Sequence, residues 1–507
     1  MPGAAMVTVQ LGQCGNQLGH ELFGALAREG GGVADEALPQ FFRRGAAEGG
    51  AEGGGGSAAP VARSVLVDME PKVIWQVVER ASRSGGRWRY QPGGSYARAG
   101  GAGNNWAYGY GVHGPAAAES VVELVRREAE HCDRLGGLLL LQSLAGGTGS
   151  GVGTFLTEVL RDEYPTATLV NHTVWPYESG EVIVQHYNAL LTLAKVAQVS
   201  DATLYAENEA LDQLCGRMLN LPKPTFDHLN QVIAGQLLQL CLPATLHAQP
   251  LPSDAAGGGA VAAAGAATRP LELMVDVVRQ CCPNPRYRLL SMRTLPQLPA
   301  AALQWEGTER WKPLLGNLRQ MLLADTLVEA RANWRGSMLL QSGARSPRSP
   351  AGASPGEGSG AGAAINRSCG AVVFVRGNLA PDTAEGSGSP IKLPSGAVSG
   401  TVGPSAEQEA FAAFGQPGVF TDWAAGGGEA LAVGSSAHKV GGHQRSVGVL
   451  ANSQSVVRPL ERLVASAAGM LGAGAYLHHY DRHGVGREVF DEALATAEQM
   501  LHDYRQL

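Results

Sequence analysis

Seven residues, Ala145-Gly146-Gly147-Thr148-Gly149-Ser150-Gly151, constrain this chain more than any others. The apolar run Leu138 to Leu141 precedes them, and Phe155, Leu156, Val159 and Leu160 follow on one side of an amphipathic segment. That pattern is strand, tight turn, helix. Such a turn gathers backbone N–H groups at a helix N-terminus, where partial positive charge collects. Glycine lets the backbone approach a ligand closely and take positive φ. Two readings fit: a phosphate cradle, or a strand-to-helix turn with no ligand. No Lys follows the glycines, so the stretch is not a Walker-type loop.

The first half of the chain repeats this grammar. Val7 to Leu11 reads as a buried strand, Gly12 to Gln17 as a junction turn, and Leu18, Leu22, Phe23 and Leu26 as a helix face. Residues 30–60, rich in Gly, Ala and Glu, read as a mobile loop. Ser64 to Met69 is a strand ending in Asp68-Met69-Glu70-Pro71. Two carboxylates then stand where α/β sheets bind ligands, or one of them caps a helix before Pro71. Gly100 to Trp106 is a third glycine-rich turn. Gly109 to Gly114 has dinucleotide-fingerprint spacing, but no apolar strand leads into it and Pro115 follows, so it is set aside. A helix is expected over Glu119–Glu130, with strands at Leu135–Leu144, Thr168–Trp175 and Ala202–Ala206. Further helices start near Val182 and Leu211, and a longer one spans Asp227–Leu240. Alternating strands and helices predict an α/β fold, a helix-covered parallel sheet with its ligand at one edge.

Beyond residue 250 the pattern is interrupted. Low-complexity tracts at 251–268, 341–364 and much of 379–440 separate expected helices at 271–280 and 310–323 from strands at 287–295, 371–375 and 445–452. Two helices, 455–471 and 487–505, close the chain. Many of its 69 glycines lie in the tracts. A net charge of −6 without a long basic run argues against nucleic-acid binding. Seven cysteines without a C-x-x-C pair argue against a disulfide framework or zinc site, and fit a reducing compartment. Cys281-Cys282 reads as a packing pair, and His443, His478 and His479 as surface histidines. No secretory leader is expected at Met1–Val9, and no run reaches the roughly 18 apolar residues of a membrane span.

The strand-end loops 12–17, 68–70, 101–105, 143–151, 176–181 and 207–209 converge by topology. Loops 101–105 and 145–151 offer N–H and hydroxyl donors for a triphosphate, with Ser150 a phosphate contact rather than a nucleophile. Asp68 or Glu70 can hold a cation directly or through water. Asn16, Asn208 and Asn230 offer amides to a purine, and Phe226 a ring to stack on it.

At this point the motifs carry a resemblance. Gly12-Gln13-Cys14-Gly15-Asn16-Gln17 with Gly146 to Gly151 resembles the tubulin superfamily, and its eukaryotic members far more than the bacterial FtsZ branch. Val65 to Pro71, Gly103-Asn104-Asn105-Trp106, Asn208 to Leu211 and Leu229-Asn230 follow in the same order. Asn104 to Pro115, Met69 to Ile74 and Trp175 to Gln185 resemble the delta branch. The resemblance implies a GTP-binding domain over 1–220, a core helix over 225–245 and an insertion at 251–268. It further implies an intermediate domain over 269–454 and a C-terminal helical domain over 455–507. The cofactors implied are GTP or GDP and magnesium (Mg2+). Gln13, Cys14 and Gln17 would contact phosphate and nucleoside; Ser143, Gly147, Thr148 and Gly149 would bind phosphates, within the loop Ala145 to Gly151. Asn104 would reach the γ-phosphate, Glu70 with Asp68 the magnesium, and Glu181 the ribose. Asn208 and Asn230 would read guanine, with Phe226 stacked on it. Asp276 would stand where a neighbouring subunit's hydrolysis is promoted in trans.

Three departures stand out. Ala145 replaces a glycine, Phe226 stands where many family members have Tyr, and the 251–268 tract enters the loop that meets the next subunit. The sequence reaches Leu507 without a glutamate-rich tail. The resemblance implies a structural protein of centrioles and basal bodies, in the cytoplasm and cytoskeleton. It would support triplet microtubules and the assembly of cilia or flagella. Its implied partners are epsilon-tubulin and the alpha/beta-tubulin of centriolar microtubules, without nucleic acid or membrane. The alternatives are a stand-alone GTPase switch and a lattice-forming tubulin.

Overall fold

The computed structural model describes residues 4–29, 39–45, 59–180, 182–248, 268–300, 310–329, 365–382, 404–425 and 430–507. The first half runs β1 (Ala5–Leu11), α1 (Gly12–Glu29), β2 (Phe42–Arg43), β3 (Val61–Ala62), β4 (Ser64–Asp68), α2 (Pro71–Ser82) and β5 (Ser95–Ala97). It continues with α3 (Gly114–Glu130), β6 (Leu135–Ser143), α4 (Gly153–Glu163), β7 (Thr168–Trp175), α5 (Gln185–Val199), β8 (Ala202–Glu207) and α6 (Asn208–Met218). Then come α7 (Phe226–Cys241), β9 (Thr245–Ala248), β10 (Thr268–Pro270), α8 (Leu273–Cys281), β11 (Leu289–Leu295), α9 (Trp311–Leu323), β12 (Ser368–Gly377) and α10 (Ala406–Phe414). β13 (Leu431–Ser436), β14 (Arg445–Ser453), α11 (Val457–Gly472) and α12 (Arg487–Arg505) complete the order.

One twelve-stranded sheet carries the fold, ordered β10-β9-β13-β12-β14-β11-β8-β7-β6-β1-β4-β5. From β8 to β5 every pairing is parallel. From β8 to β4 both faces are buried, so these strands read as continuous apolar runs such as Leu138 to Leu141, while β5 is an exposed edge. Beyond β11 the pairing turns largely antiparallel.

The long helix α7 buries Leu229, Ile233, Leu237 and Leu238 against Leu18, Leu22 and Phe23 of α1 in the largest core cluster. Each such side chain removed from water contributes about 1.5–3 kcal/mol. The C-terminal end of α7 is closed by Arg376 of β12, fully buried. Its guanidinium donates to the carbonyls of Gln239, Leu242 and Pro243. These are carbonyls that a helix terminus leaves without intrahelical partners. On the other face, Phe490, Ala493, Ala497 and Leu501 of α12 pack with α5 and α11 around Tyr187 and Tyr480.

Several expectations need correction. Gly12 to Gln17 is not a junction turn but the opening of α1, entered directly from β1. Gly109–His113, set aside from the sequence as a dinucleotide match, is indeed none: it is a π-helical stretch between the helical turn Trp106–Tyr108 and α3. The helix expected near Val182 starts at Gln185. Within 30–60, residues 39–45 are packed, with Phe41 and Phe42 buried, because β2 pairs with β3. Within 379–440 stand α10, a short helix Asp422–Ala425 and β13, whose Ala406, Phe414, Leu431 and Val433 are core residues. Of the tract 251–268 only Thr268 is described, as the start of β10; all of 341–364 lies outside the described residues. His478 and His479 are exposed, but His443 is buried, folded back against the Gly441-Gly442 turn.

Candidate nucleotide site

Strand β6 delivers the glycine-rich loop to the C-terminal edge of the parallel sheet, and a π-helical turn Thr148–Val152 leads from it into α4. The glycines are required by backbone packing on one side. A β-carbon on Gly147 would lie 2.7 Å from the Ala102 carbonyl oxygen and 2.8 Å from the Asn105 nitrogen. Gly12, at φ +70°, sits with its missing β-carbon 2.7 Å from the Gly149 nitrogen. Hence β1–α1, the 101–105 loop and the 145–149 loop touch backbone to backbone. Gly146 differs: a β-carbon there would meet only Asn104 Oδ1, 3.9 Å away. Asn104, exposed and at φ +51°, faces this open side.

Ser150 does not reach the open side. It is buried, and its hydroxyl donates to the Gly146 carbonyl. Gly151 is likewise packed, against the Trp106 carbonyl. Both hold the turn rather than offer groups to a ligand. Ser143 Oγ accepts from the Ala145 N–H at 3.2 Å, and Thr148 is half-buried beside it.

At the end of β4, Asp68 is 3% exposed. Its Oδ1 accepts from the Glu70 N–H at 3.1 Å, and its Oδ2 has no partner. Burial pushes its carboxyl up to about 7, with the hydrogen bond from the Glu70 N–H opposing the rise and the neighbouring Glu70 charge adding to it. Glu70 is exposed, its Oε1 3.7 Å from where a β-carbon on Gly101 would stand. An orphaned buried carboxylate oxygen beside an exposed carboxylate fits a hard cation. Among the described residues no group of three His, Cys, Asp or Glu could enclose a metal. A magnesium ion here would therefore complete its shell with water and phosphate oxygens, its usual habit.

Asn16, counted among the purine-facing amides, is fully buried and does another job. Its Nδ2 donates to the Gly12 and Val67 carbonyls at 2.9 and 3.1 Å, tying α1 to β4. Gln13 is exposed on the first turn of α1, and Cys14 and Gln17 are half-buried. Burial pushes the Cys14 thiol up to about 12, so it is neutral. Asn208 opens α6 directly after β8, and Asn230 lies on α7; both are buried. Phe226, the first residue of α7, is 56% exposed and lies 6.4 Å from the Tyr177 ring. Glu181 lies outside the described residues.

The strand order gives the site a direction. Asn208 follows β8, the glycine loop follows β6, α1 follows β1, and Asp68 and the 98–105 loop follow β4 and β5. A purine at Asn208, Asn230 and Phe226 would thus send its phosphates across β6 and β1 toward Asp68, Glu70 and Asn104. Asp276 is not among these groups. It lies on α8, buried, with its two oxygens taken by the Arg269 guanidinium at 2.5 and 2.6 Å and by the Glu272 N–H at 2.7 Å. In this arrangement it ties β10 to α8.

One residue missed from the sequence ties the loops together. Asn188 of α5 is fully buried. Its Nδ2 donates to the Asn104 and Ala145 carbonyls at 2.8 and 2.7 Å, and its Oδ1 accepts from the Trp106 N–H at 3.0 Å. The available signal was an amide embedded in the apolar run Tyr187 to Leu191.

The comparisons agree with this architecture. The description of the Tubulin/FtsZ family, GTPase domain, matches residues 5–216. The chain is 34% identical over 514 residues to the tubulin delta chain of Mus musculus, covering 99% of each. It is 32% identical over 520 residues to the tubulin delta chain of Homo sapiens, again covering 99% of each. Its 37% identity to the tubulin beta chain of Porphyra purpurea spans 242 residues, 45% of this chain and 50% of that one. The chain belongs to the tubulin family. It is delta-tubulin-like along its whole length, whereas its likeness to the beta chain covers about half. The matched GTPase domain implies guanine-nucleotide binding. Membership also makes this a cytoskeletal protein whose natural associates are other tubulins. No helix among the described residues is long and apolar enough to cross a membrane.

Proposed function

We propose that this tubulin is a guanine-nucleotide-binding structural subunit of centrioles and basal bodies. It supports the formation of triplet microtubules and so the assembly of cilia or flagella, with epsilon-tubulin as its partner and the alpha/beta-tubulin of centriolar walls as its substrate lattice. The full-length likeness to delta chains carries this reading. The direction of the site supports GTP or GDP with magnesium at Asp68 and Glu70. Asp276 bears on turnover. Its carboxylate is engaged by Arg269, so hydrolysis in trans requires that pair to open at an assembled interface.

Two measurements test the proposal. The nucleotide co-purifying with the protein is identified, alone and with epsilon-tubulin. Electron tomography then counts microtubules per blade in cells lacking the protein. Bound guanine nucleotide and triplets reduced to doublets are the expected results. Protein that is folded yet nucleotide-free, or triplets left intact, sinks the proposal. Steady GTP turnover by dilute monomer would point instead to a stand-alone switch. Turnover that appears only on assembly and is lost in Asp276→Ala would assign the trans role.

A further inference from the structure

We propose that Asn188 and Tyr480 set the loops facing the distal phosphates, coupling the C-terminal helical layer to whether GTP or GDP is bound. This rests on the guanine-nucleotide reading of the site. The carboxamide of Asn188 is saturated. Beyond its bonds to Asn104, Ala145 and Trp106, its Oδ1 accepts from the Tyr480 hydroxyl at 2.6 Å. Two donors and two acceptor positions are all that an amide has. Any displacement of the 104–106 or 145 backbone must therefore be met by Asn188, and any rotation of Asn188 by Tyr480.

Tyr480 can transmit such a change because its ring is fixed. It is fully buried, edge-on to Tyr187 at 5.6 Å and to Phe490 of α12 at 5.1 Å. The short helix His478–Asp481, between α11 and α12, is joined to the same loop twice more. Asn105 Nδ2 donates to the His479 carbonyl at 2.9 Å, and the Tyr108 and His483 rings lie 4.7 Å apart. So residues 479–483 are fastened to one strand-end loop, the one following β5. The strand order puts that loop at the phosphate end of the site, away from Asn208 and Phe226. A terminal phosphate present or absent changes what Asn104 and Gly146 face, and the staple carries that difference to α11 and α12. Tyr480 is a positioning residue: it touches no ligand and acts through Asn188.

The test compares GTP and GDP affinities of the full chain as wild type, Tyr480→Phe and Asn188→Asp. Tyr480→Phe keeps the ring packing and removes one buried hydrogen bond, so GTP affinity should fall about five- to tenfold. GDP affinity should stay within about twofold. Asn188→Asp removes both donors and should widen that gap. A folded Tyr480→Phe protein with the wild-type GTP-to-GDP ratio overturns the coupling, as does an equal loss for both nucleotides. Should the variants not fold, hydrogen exchange in the wild type decides. Amides of 476–484 should exchange more slowly with a non-hydrolysable GTP analogue than with GDP, and equal exchange overturns the proposal. Wild-type protein that binds neither nucleotide sinks the functional reading itself, a distinguishable result.

Discussion

Three glycines of the nucleotide loops separate packing from ligand contact, and their alanine variants should behave differently. Gly147 has ordinary φ, so its cost on substitution is steric alone. A methyl group there meets Ala102 Cβ and O at 2.7 Å and Asn105 N at 2.8 Å, mostly backbone that cannot turn aside. Overpacking of this kind costs about 1–3 kcal/mol or more. Gly12 adds a second term. Its φ of +70° costs an L-residue roughly 1–2 kcal/mol, and its β-carbon would stand 2.7 Å from Gly149 N. Gly12→Ala should therefore destabilise by about 2–5 kcal/mol once both terms act. Gly146→Ala meets nothing nearer than Asn104 Oδ1 at 3.9 Å, so nucleotide-free stability should stay within about 0.5 kcal/mol. Yet its methyl group would project into the open side where the phosphates would run, and nucleotide affinity should fall. Urea unfolding without nucleotide and equilibrium binding of GTP, measured on all three variants, check the series. A Gly146→Ala protein that binds GTP like wild type would remove the open side of this loop from the site. Wild-type stability in Gly147→Ala would refute the packing account.

Other substitutions probe the frame. Burial pulls the His172 imidazole down to about 4 from an ordinary 6.5, and its Nδ1 has no partner. The unfolded chain then binds the extra proton between those values, so this group's contribution to stability falls by about 2 kcal/mol from pH 7 to 5, while the raised Asp68 carboxyl works in the opposite direction over the same range. Denaturant unfolding of wild type and His172→Gln at both pH values isolates it: the stability difference between the two proteins should change by about 2 kcal/mol between pH 7 and 5. Arg376→Lys keeps the buried charge but cannot span three carbonyls, leaving at least one unpaired at the end of α7. A loss of about 2–4 kcal/mol is expected, and a variant as stable as wild type would show that those bonds contribute nothing. Phe226→Ala should weaken nucleotide binding by about 1–3 kcal/mol, the usual scale of aromatic–base stacking, while Phe226→Tyr leaves it unchanged. Competition binding with guanosine and GTP separates loss at the base from loss at the phosphates.

The parallel half of the sheet was legible because its strands are buried on both faces and its helices have one apolar side. Thr168–Trp175 and Arg487–Arg505 are bounded in the structure as the periodicity has them. Short elements were not. β9 and β10 are too brief to show a period, and β13 sits in a Gly/Ala/Ser-rich stretch that hides it; they exist because each finds a strand to pair with. The ends of the site were readable as residue types on strand-end loops. What those residues do was less so, because side-chain direction is settled by packing. Asn16, Ser150 and Asp276 each carry a polar group suited to a ligand, and each is turned inward to hold backbone.

Asn188 is the opposite case: a residue without a motif whose role appears only when distant segments meet. Tyr480 is 292 positions away from it, and Asn104 is 84. A single amide inside an apolar helix face is costly to bury unless every one of its groups is satisfied. That cost is what makes such a residue informative. In a helix where Tyr187, Ala189, Leu190 and Leu191 are all buried, an Asn retained at the same depth must be bonded to something that helix does not contain. Here the partners are the two loops that a nucleotide's phosphates would meet and the layer that closes the chain. The same reasoning applies to Arg376, a lone guanidinium in the apolar strand β12 whose acceptors are the end of α7. Both residues fasten segments far apart in the chain: Asn188 joins the strand-end loops to the short helix before α12, and Arg376 joins β12 to the end of α7.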